Sequence, residues 1–272
     1  MKRALTIAGS DSGGGAGIQA DLKTFAAHGV FGMSAITALT AQNSLGVQGV
    51  FEIPPEFVAA QIESVVSDFG ADAVKIGMIS NSRIIEAVAA KIRERGLFPL
   101  VVDPVMVAKG GDPLLHEEAR ESLIGLLLPL ATVVTPNLPE AEALCGFRVA
   151  NEEDMRRAAR EIHRMGPKAV VVKGGHLEAD TSDDLFFDGR DFAVFSAERI
   201  ESANTHGTGC TFASAIAARL ARGIELREAV AGAKAYVNRL IAASLELGLG
   251  RGHGPMDHLA LANLRWELGP GD

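Results

Sequence analysis

An α/β fold built on a mostly parallel central sheet is what this sequence predicts. Short apolar runs rich in β-branched residues recur along the chain, amphipathic stretches separate them, and Gly or Pro ends most of those stretches. Residues 4–8, 73–77, 100–103, 132–135 and 169–173 read as buried strands. Between them, 18–27, 55–69, 82–95, 117–128 and 152–165 carry the apolar spacing of helices that bury one face. Alanine-rich segments over 208–222 and 226–247 add two more helices. An antiparallel hairpin is expected from 184–188 and 192–196 around Gly189 and Arg190, which would make the sheet mixed. No internal repeat, low-complexity tract or Pro/Ser-rich linker divides the chain, so residues 1–272 are read as a single domain.

Composition narrows the function classes. With 47% hydrophobic and 22% charged residues the chain has the material for one large core, unlike a disordered or fibrous sequence. A net charge of -8 with no Lys/Arg run offers no field for a phosphate backbone, so no nucleic acid partner is expected. Two cysteines, Cys145 and Cys210, make no disulfide framework, and the opening MKRALTIAGS lacks the apolar stretch of a secretory signal. A cytoplasmic location is therefore expected. No segment approaches the ~20 apolar residues that span a bilayer, so no membrane association is expected either.

In open α/β sheets, ligands bind beyond the carboxyl ends of the strands. Those ends are Gly9-Ser10-Asp11, Asp103, Asn137 and Lys173-Gly174-Gly175. The first strand runs into GSDSGGGAG, which directs backbone amides and a helix start at a ligand, although the same glycines would also serve a plain tight turn. Gly15 to Ala20 satisfy the loose GxGxxA dinucleotide pattern, but 35–42 lacks the acidic residue expected about 20 positions on, which weakens a nicotinamide-dependent oxidoreductase. GxxxxGK[ST] is absent, so any phosphate is held by another device.

Asn204-Thr205-His206-Gly207-Thr208-Gly209-Cys210 supplies that device. Gly207 and Gly209 free the backbone to turn, and the amides that follow open the alanine-rich helix, an arrangement that holds anions. Cys210 stands at the helix start, where the dipole favours a thiolate. It is either a base for a substrate hydroxyl or a small buried residue under the turn. Asp103 ends a strand, and Asn137 with Glu140 opens the next helix in TPNLPEAE. The carboxylates would hold Mg²⁺ through water, while Asn137 also reads as a helix cap. Lys173 projects a cation from its strand end toward phosphates. His253, Asp257 and His258 in GHGPMDH, and Asp180, Asp183 and Asp184, read as solvated polar segments. Together these features point to phosphoryl transfer from a nucleotide to a small molecule. A segment near 105–113 is where a lid over the site would lie.

LTIAGSDSGGGAGIQADLKTFAAHGVFGMSAITALTAQNSLGV, VVDPVM, TPNLPEAE, VVKGGH, NTHGTGCTFASAIAA and GHGP, in that order, resemble the hydroxymethylpyrimidine and phosphomethylpyrimidine kinases of thiamine biosynthesis, within the ribokinase-like superfamily. The resemblance implies a three-layer α/β/α ribokinase-like fold, a cytoplasmic homodimer, and ATP with Mg²⁺. It also implies sequential phosphorylation of 4-amino-5-hydroxymethyl-2-methylpyrimidine to the monophosphate and the diphosphate. By position, Gly207, Thr208, Gly209 and Cys210 would form the anion hole, with Cys210 where most of the superfamily places a catalytic Asp. Gln42 would bond the pyrimidine edge, Asp21 and the Gly9 loop would enclose the substrate, Lys173 would contact phosphate, and Asp103 and Glu140 would organise Mg²⁺ through water. Two alternatives remain: a pyridoxine or pyridoxal kinase with the same GTGC turn, and a non-catalytic pyrimidine-binding protein.

Overall fold

The computed structural model describes residues 1–106, 117–175 and 180–260, so most of the candidate lid at 105–113 lies outside the described residues. Among the described residues the main sheet has eight strands, with β1 (Arg3–Ala8), β2 (Phe31–Ile36), β5 (Ala73–Ile76), β6 (Leu100–Val102), β7 (Val133–Val134) and β8 (Val170–Lys173) parallel to one another. At one edge the hairpin β9 (Thr181–Phe187) and β10 (Phe192–Glu198) runs antiparallel, and the spatial order is β10-β9-β8-β7-β6-β5-β1-β2. A separate antiparallel ribbon, β3 (Ala38–Asn43) and β4 (Gly46–Glu52), stands beside it.

The helices are α1 (Gly17–Ala27), α2 (Pro55–Asp68), α3 (Ser82–Arg95), α4 (Glu117–Ser122), α5 (Leu138–Cys145), α6 (Glu152–Arg164), α7 (Thr208–Ala221) and α8 (Leu226–Ala243). Their ends follow local chemistry. Asn81 accepts from the Ile84 amide at 3.0 Å and Gly96 closes α3 at φ 59°, so an Asn cap and a left-handed glycine bracket the predicted span. Where one helix over 117–128 is predicted, α4 passes into a π-helical turn at Leu123–Leu127 and a 3₁₀ turn at Leu128–Leu130 that contains Pro129. Proline cannot donate the amide bond that would continue an α-helix.

The period-2 alternation of strand side chains sorts the core into two layers. Leu5, Ile7, Val74, Ile76, Leu100, Val102, Val134, Val170 and Val172 face α2 to α6. Ala4, Ala73, Val101, Val133, Ala169 and Val171 face α1, α7 and α8. Helices on both faces of a mostly parallel sheet make the three-layer architecture expected of a ribokinase-like fold. The alternation also decides the polar positions: Thr6, Lys75, Asp103, Thr135 and Lys173 share the parity of the second layer, so they all fall on the α7 side.

β2, β3 and β4 were not foreseen. β4 is exposed along most of its length and β3, ALTAQN, mixes small and polar residues around the single Leu39, so neither carries the apolar run by which buried strands are recognised. Among the described residues no helix is long and apolar enough to cross a membrane.

Candidate active site

A cavity of about 970 Å³ opens on the α7 side at the carboxyl ends of β1, β5, β6 and β8, the size expected for a nucleotide and a small substrate. Its wall brings together Gly9, Gln42, Asp103, Glu140, Lys173, Gly207, Thr208, Gly209 and Cys210. Of the sequence-predicted site residues only Asp21 is not on its surface; that carboxylate lies fully buried directly behind it.

The glycine loop and the anion turn are clasped to each other. Asp11, buried after β1, accepts from the amides of Gly13 at 2.8 Å, Gly15 at 3.1 Å and Ala16 at 2.8 Å, and bonds His206 Nε2 at 2.8 Å. Burial opposes its charge, but His206 and these amides prevail and hold the Asp11 carboxyl below its usual value. Gly207 adopts φ 82° as the N-cap of α7, and a Cβ there would run into the Gly15 carbonyl. A Cβ on Gly15 would in turn meet His206 Cδ2 at 2.6 Å. Only glycine at both positions lets the two segments close to this distance.

Cys210 stands in the first turn of α7, and the Gly17 amide at the start of α1 favours its thiolate, so the N-termini of α1 and α7 converge there. The expectation that the helix start lowers the thiol is overturned. Burial pushes Cys210 up to about 11, and the neighbouring Lys75 only partly offsets it. Cys145, by contrast, sits half-buried, with its sulfur 3.6 Å from the Ala158 carbonyl, away from the cavity as expected of a core residue.

Lys173 Nζ bonds Asp103 Oδ1 at 3.0 Å, and Thr135 Oγ1 donates to the same oxygen at 3.2 Å. A Cβ on Gly209 would stand 3.2 Å from that ammonium, which places the lysine directly over the anion turn. Burial disfavours the Lys173 ammonium, yet Asp103 and Glu140 raise it, so it stays charged. Asn137 and Glu140 form a reciprocal cap on α5, with the Glu140 amide donating to Asn137 Oδ1 at 2.9 Å and the Asn137 amide to Glu140 Oε2 at 2.8 Å. Burial raises the Glu140 carboxyl to about 7, against the pull of Lys173. Gln42 stands at a bulge in β3, its Oε1 taking the Thr40 hydroxyl at 3.1 Å and its main chain joined to Ser12 of the glycine loop.

Asp103 and Glu140 are two of the carboxylates on the cavity wall, and no group of three or more His, Cys, Asp or Glu that could hold a metal ion occurs among the described residues. That sparse donor set fits Mg²⁺, which keeps most of its waters and takes the rest of its shell from phosphates.

Two sequence readings fail. His258 is not solvated: it is 2% exposed, 2.8 Å from Thr211 Oγ1 under the first turns of α7, and burial pushes it down to about 4. Asp184 is not on a loop but buried in β9, where it pairs with Lys234 of α8 at 2.9 Å and accepts the Gly174 amide at 3.1 Å. Sequence reasoning also passed over Lys75. The signal was present, because a lone lysine inside the apolar run AVKI must bury its charge against a partner.

The profile of the phosphomethylpyrimidine kinase family matches residues 11–257. The chain belongs to that family. It is 55% identical over 256 residues to the hydroxymethylpyrimidine/phosphomethylpyrimidine kinase of Rhizobium meliloti, covering 94% of this chain and 96% of that one. It is also 55% identical over 258 residues to the thiamine biosynthesis bifunctional protein ThiED of Geobacter sulfurreducens; the match takes in 95% of this chain but spans only 52% of that longer protein. Among solved structures, an ADP complex of Bacillus subtilis pyridoxal kinase superposes with a TM-score of 0.88 at 44% identity, over 96% of this chain and 98% of that one. The ribokinase-like fold and the kinase activity follow from this membership. Two helix starts meeting beside a charged lysine are an arrangement that can neutralise negative charge.

Proposed function

We propose that this kinase transfers the γ-phosphoryl group of ATP to 4-amino-5-hydroxymethyl-2-methylpyrimidine and then to the resulting monophosphate, within thiamine biosynthesis. The observation that carries the reading is Cys210, set where two helix N-termini meet with the Lys173–Asp103 pair alongside. The names of the relatives support the substrate, and the ADP complex of the pyridoxal kinase supports the donor.

In this reading Gln42 and the Gly9 loop hold the pyrimidine, Asp21 supporting that wall from behind. The substrate hydroxyl gives its proton to the thiolate form of Cys210, which becomes the thiol, and the hydroxyl oxygen bonds the γ-phosphorus. The bond from that phosphorus to the bridging oxygen breaks, and ADP leaves. The amides of Gly207, Thr208 and Gly209, with Lys173, neutralise the charge that spreads over the phosphoryl oxygens. Asp103 and Glu140 would hold Mg²⁺ through water, and the ion would supply further positive charge to the phosphates.

We also place the enzyme in the cytoplasm as one catalytic domain that pairs into a homodimer. The outward cross-strand pair Leu39 and Phe51, 44% and 65% exposed on the β3–β4 ribbon, supports the pairing.

The test is an ADP-release assay with ATP and Mg²⁺ on the pyrimidine alcohol, its monophosphate and pyridoxal side by side. Turnover of the first two is expected, and no pyrimidine-dependent ADP would sink the reading. The structural likeness to a pyridoxal kinase favours a second reading, pyridoxal phosphorylation, and a higher kcat/KM for pyridoxal would establish it. Cys210→Ala is expected to lose catalysis with little change in substrate Kd by calorimetry; full turnover would refute the base role alone.

A further inference from the structure

Lys75 sits in the middle of β5, between β1 and β6, and is fully buried. Its ammonium bonds both oxygens of Asp21 at 2.9 Å. The Thr6 hydroxyl donates to Asp21 Oδ2 at 2.6 Å and the Ser214 hydroxyl to Oδ1 at 2.6 Å, so each carboxylate oxygen already takes two donors. This carboxylate is saturated and has little left to offer a ligand.

The pair is placed with respect to the reacting group. Ser214 follows Cys210 by four residues on α7, hence on the same helix face one turn further in. Lys75 and Cys210 both line the cavity. Gly77, just past the end of β5, leaves the space the ammonium needs, because a Cβ there would lie 2.7 Å from Nζ. A buried ion pair adds little net stability compared with an apolar pair of the same shape, so its tie through Ser214 to the helix turn next to Cys210 is its informative property.

We propose that Lys75 is a positioning residue for phosphoryl transfer: held by Asp21 beneath the cavity floor, its fixed positive charge stabilises the Cys210 thiolate and so makes the sulfur a usable proton acceptor. The charged groups around the sulfur are Lys75 from β5, Asp21 from α1, Asp103 at the end of β6 and Lys173 at the end of β8. Lys75 is the strongest of them in favour of the thiolate, and Asp21 and Asp103 act against it. Burial disfavours the Lys75 ammonium, but Asp21, Cys210 and Asp103 raise it above the ordinary lysine value, so the charge persists at every working pH.

The proposal rests on the reading of Cys210 as the proton acceptor, and two measurements keep them separate. In a Cys145→Ser background, the rate of iodoacetamide alkylation against pH reports the Cys210 thiolate, whatever its role in turnover. Lys75→Met is expected to move that titration up by a unit or more and to lower kcat at least tenfold, with KM for ATP changed less than threefold. Lys75→Met/Asp21→Asn removes the pair without leaving a lone buried carboxylate, and a smaller shift in the same direction is expected, because the opposing charge of Asp21 goes as well. A folded double variant, judged by near-UV circular dichroism, with an unmoved titration and kcat within twofold would overturn the proposal. Should neither variant fold, ¹⁵N-lysine spectra of the otherwise wild-type protein decide. The Lys75 Nζ resonance is expected to shift with the midpoint of Cys210 ionisation and to lose that shift in Cys210→Ala; a flat resonance refutes the coupling. If Cys210→Ala keeps full turnover while the alkylation titration still depends on Lys75, the base role fails and the electrostatic link stands.

Discussion

Two lysine–aspartate pairs of almost the same length face the same side of the sheet and differ in how fully they are satisfied. Lys75–Asp21, at 2.9 Å, is fully buried, and hydroxyls from β1 and α7 complete the carboxylate. Lys173–Asp103, at 3.0 Å, opens on the cavity, with the lysine side chain 15% exposed beside the anion turn. The first is closed and acts only as a fixed charge, while the second has donors and acceptors to spare for a ligand. Closed groups should therefore register first in stability and open groups in turnover.

The sharpest way to break this distinction is Asp21→Ala, which strands a buried ammonium. A loss of about 3–5 kcal/mol is expected in urea unfolding. An unchanged midpoint would mean that the Lys75–Asp21 pair is not a closed unit. Lys173→Ala should do the reverse, lowering kcat by about 10²–10³ with a smaller stability loss than Asp21→Ala. Equal effects of the two variants on both quantities would erase the contrast.

His258 extends the test to a closed group that is neutral. Its native pKa, about 4, lies below the unfolded value, so the unfolded chain takes up a proton first as the pH falls. Stability from this group is complete above about pH 6.5 and declines by about 3 kcal/mol down to pH 4. Unfolding of His258→Asn should lack that component of the acid sensitivity. The smallest effect expected is on the open side: Gln42→Ala should raise KM for the pyrimidine about tenfold with kcat nearly unchanged. A fall in kcat with KM intact would move Gln42 from binding to chemistry.

Much of the architecture was legible because burial and periodicity agree. Runs such as LVV and VVVK read as strands, and Asn81 with Gly96 brackets a helix whose observed span is the predicted one. The ribbon Ala38–Asn43 and Gly46–Glu52 was missed, because most of its side chains are exposed and its apolar residues make no continuous buried run. At the site, glycine spacing and strand ends were enough to pick out Gly207 to Cys210, Asp103 and Lys173. Desolvation was not legible. It depends on what closes over a residue from distant segments, and it decides that Cys210 is raised, that His258 is neutral and that Asp184 is a buried partner of Lys234. Lys75 was readable in principle from its parity with Asp103 and Lys173, since alternate strand positions share a face.

The clasp between Asp11 and His206 joins positions 195 apart in the chain. All ten described strands are complete by Glu198, whereas the turn that bonds Asp11 begins at Thr205. A nascent chain halted between these points would carry every described strand and none of the anion-binding turn, so synthesis separates possession of the scaffold from possession of the chemistry. Until its last quarter emerges, this kinase holds a glycine loop with nothing to close against.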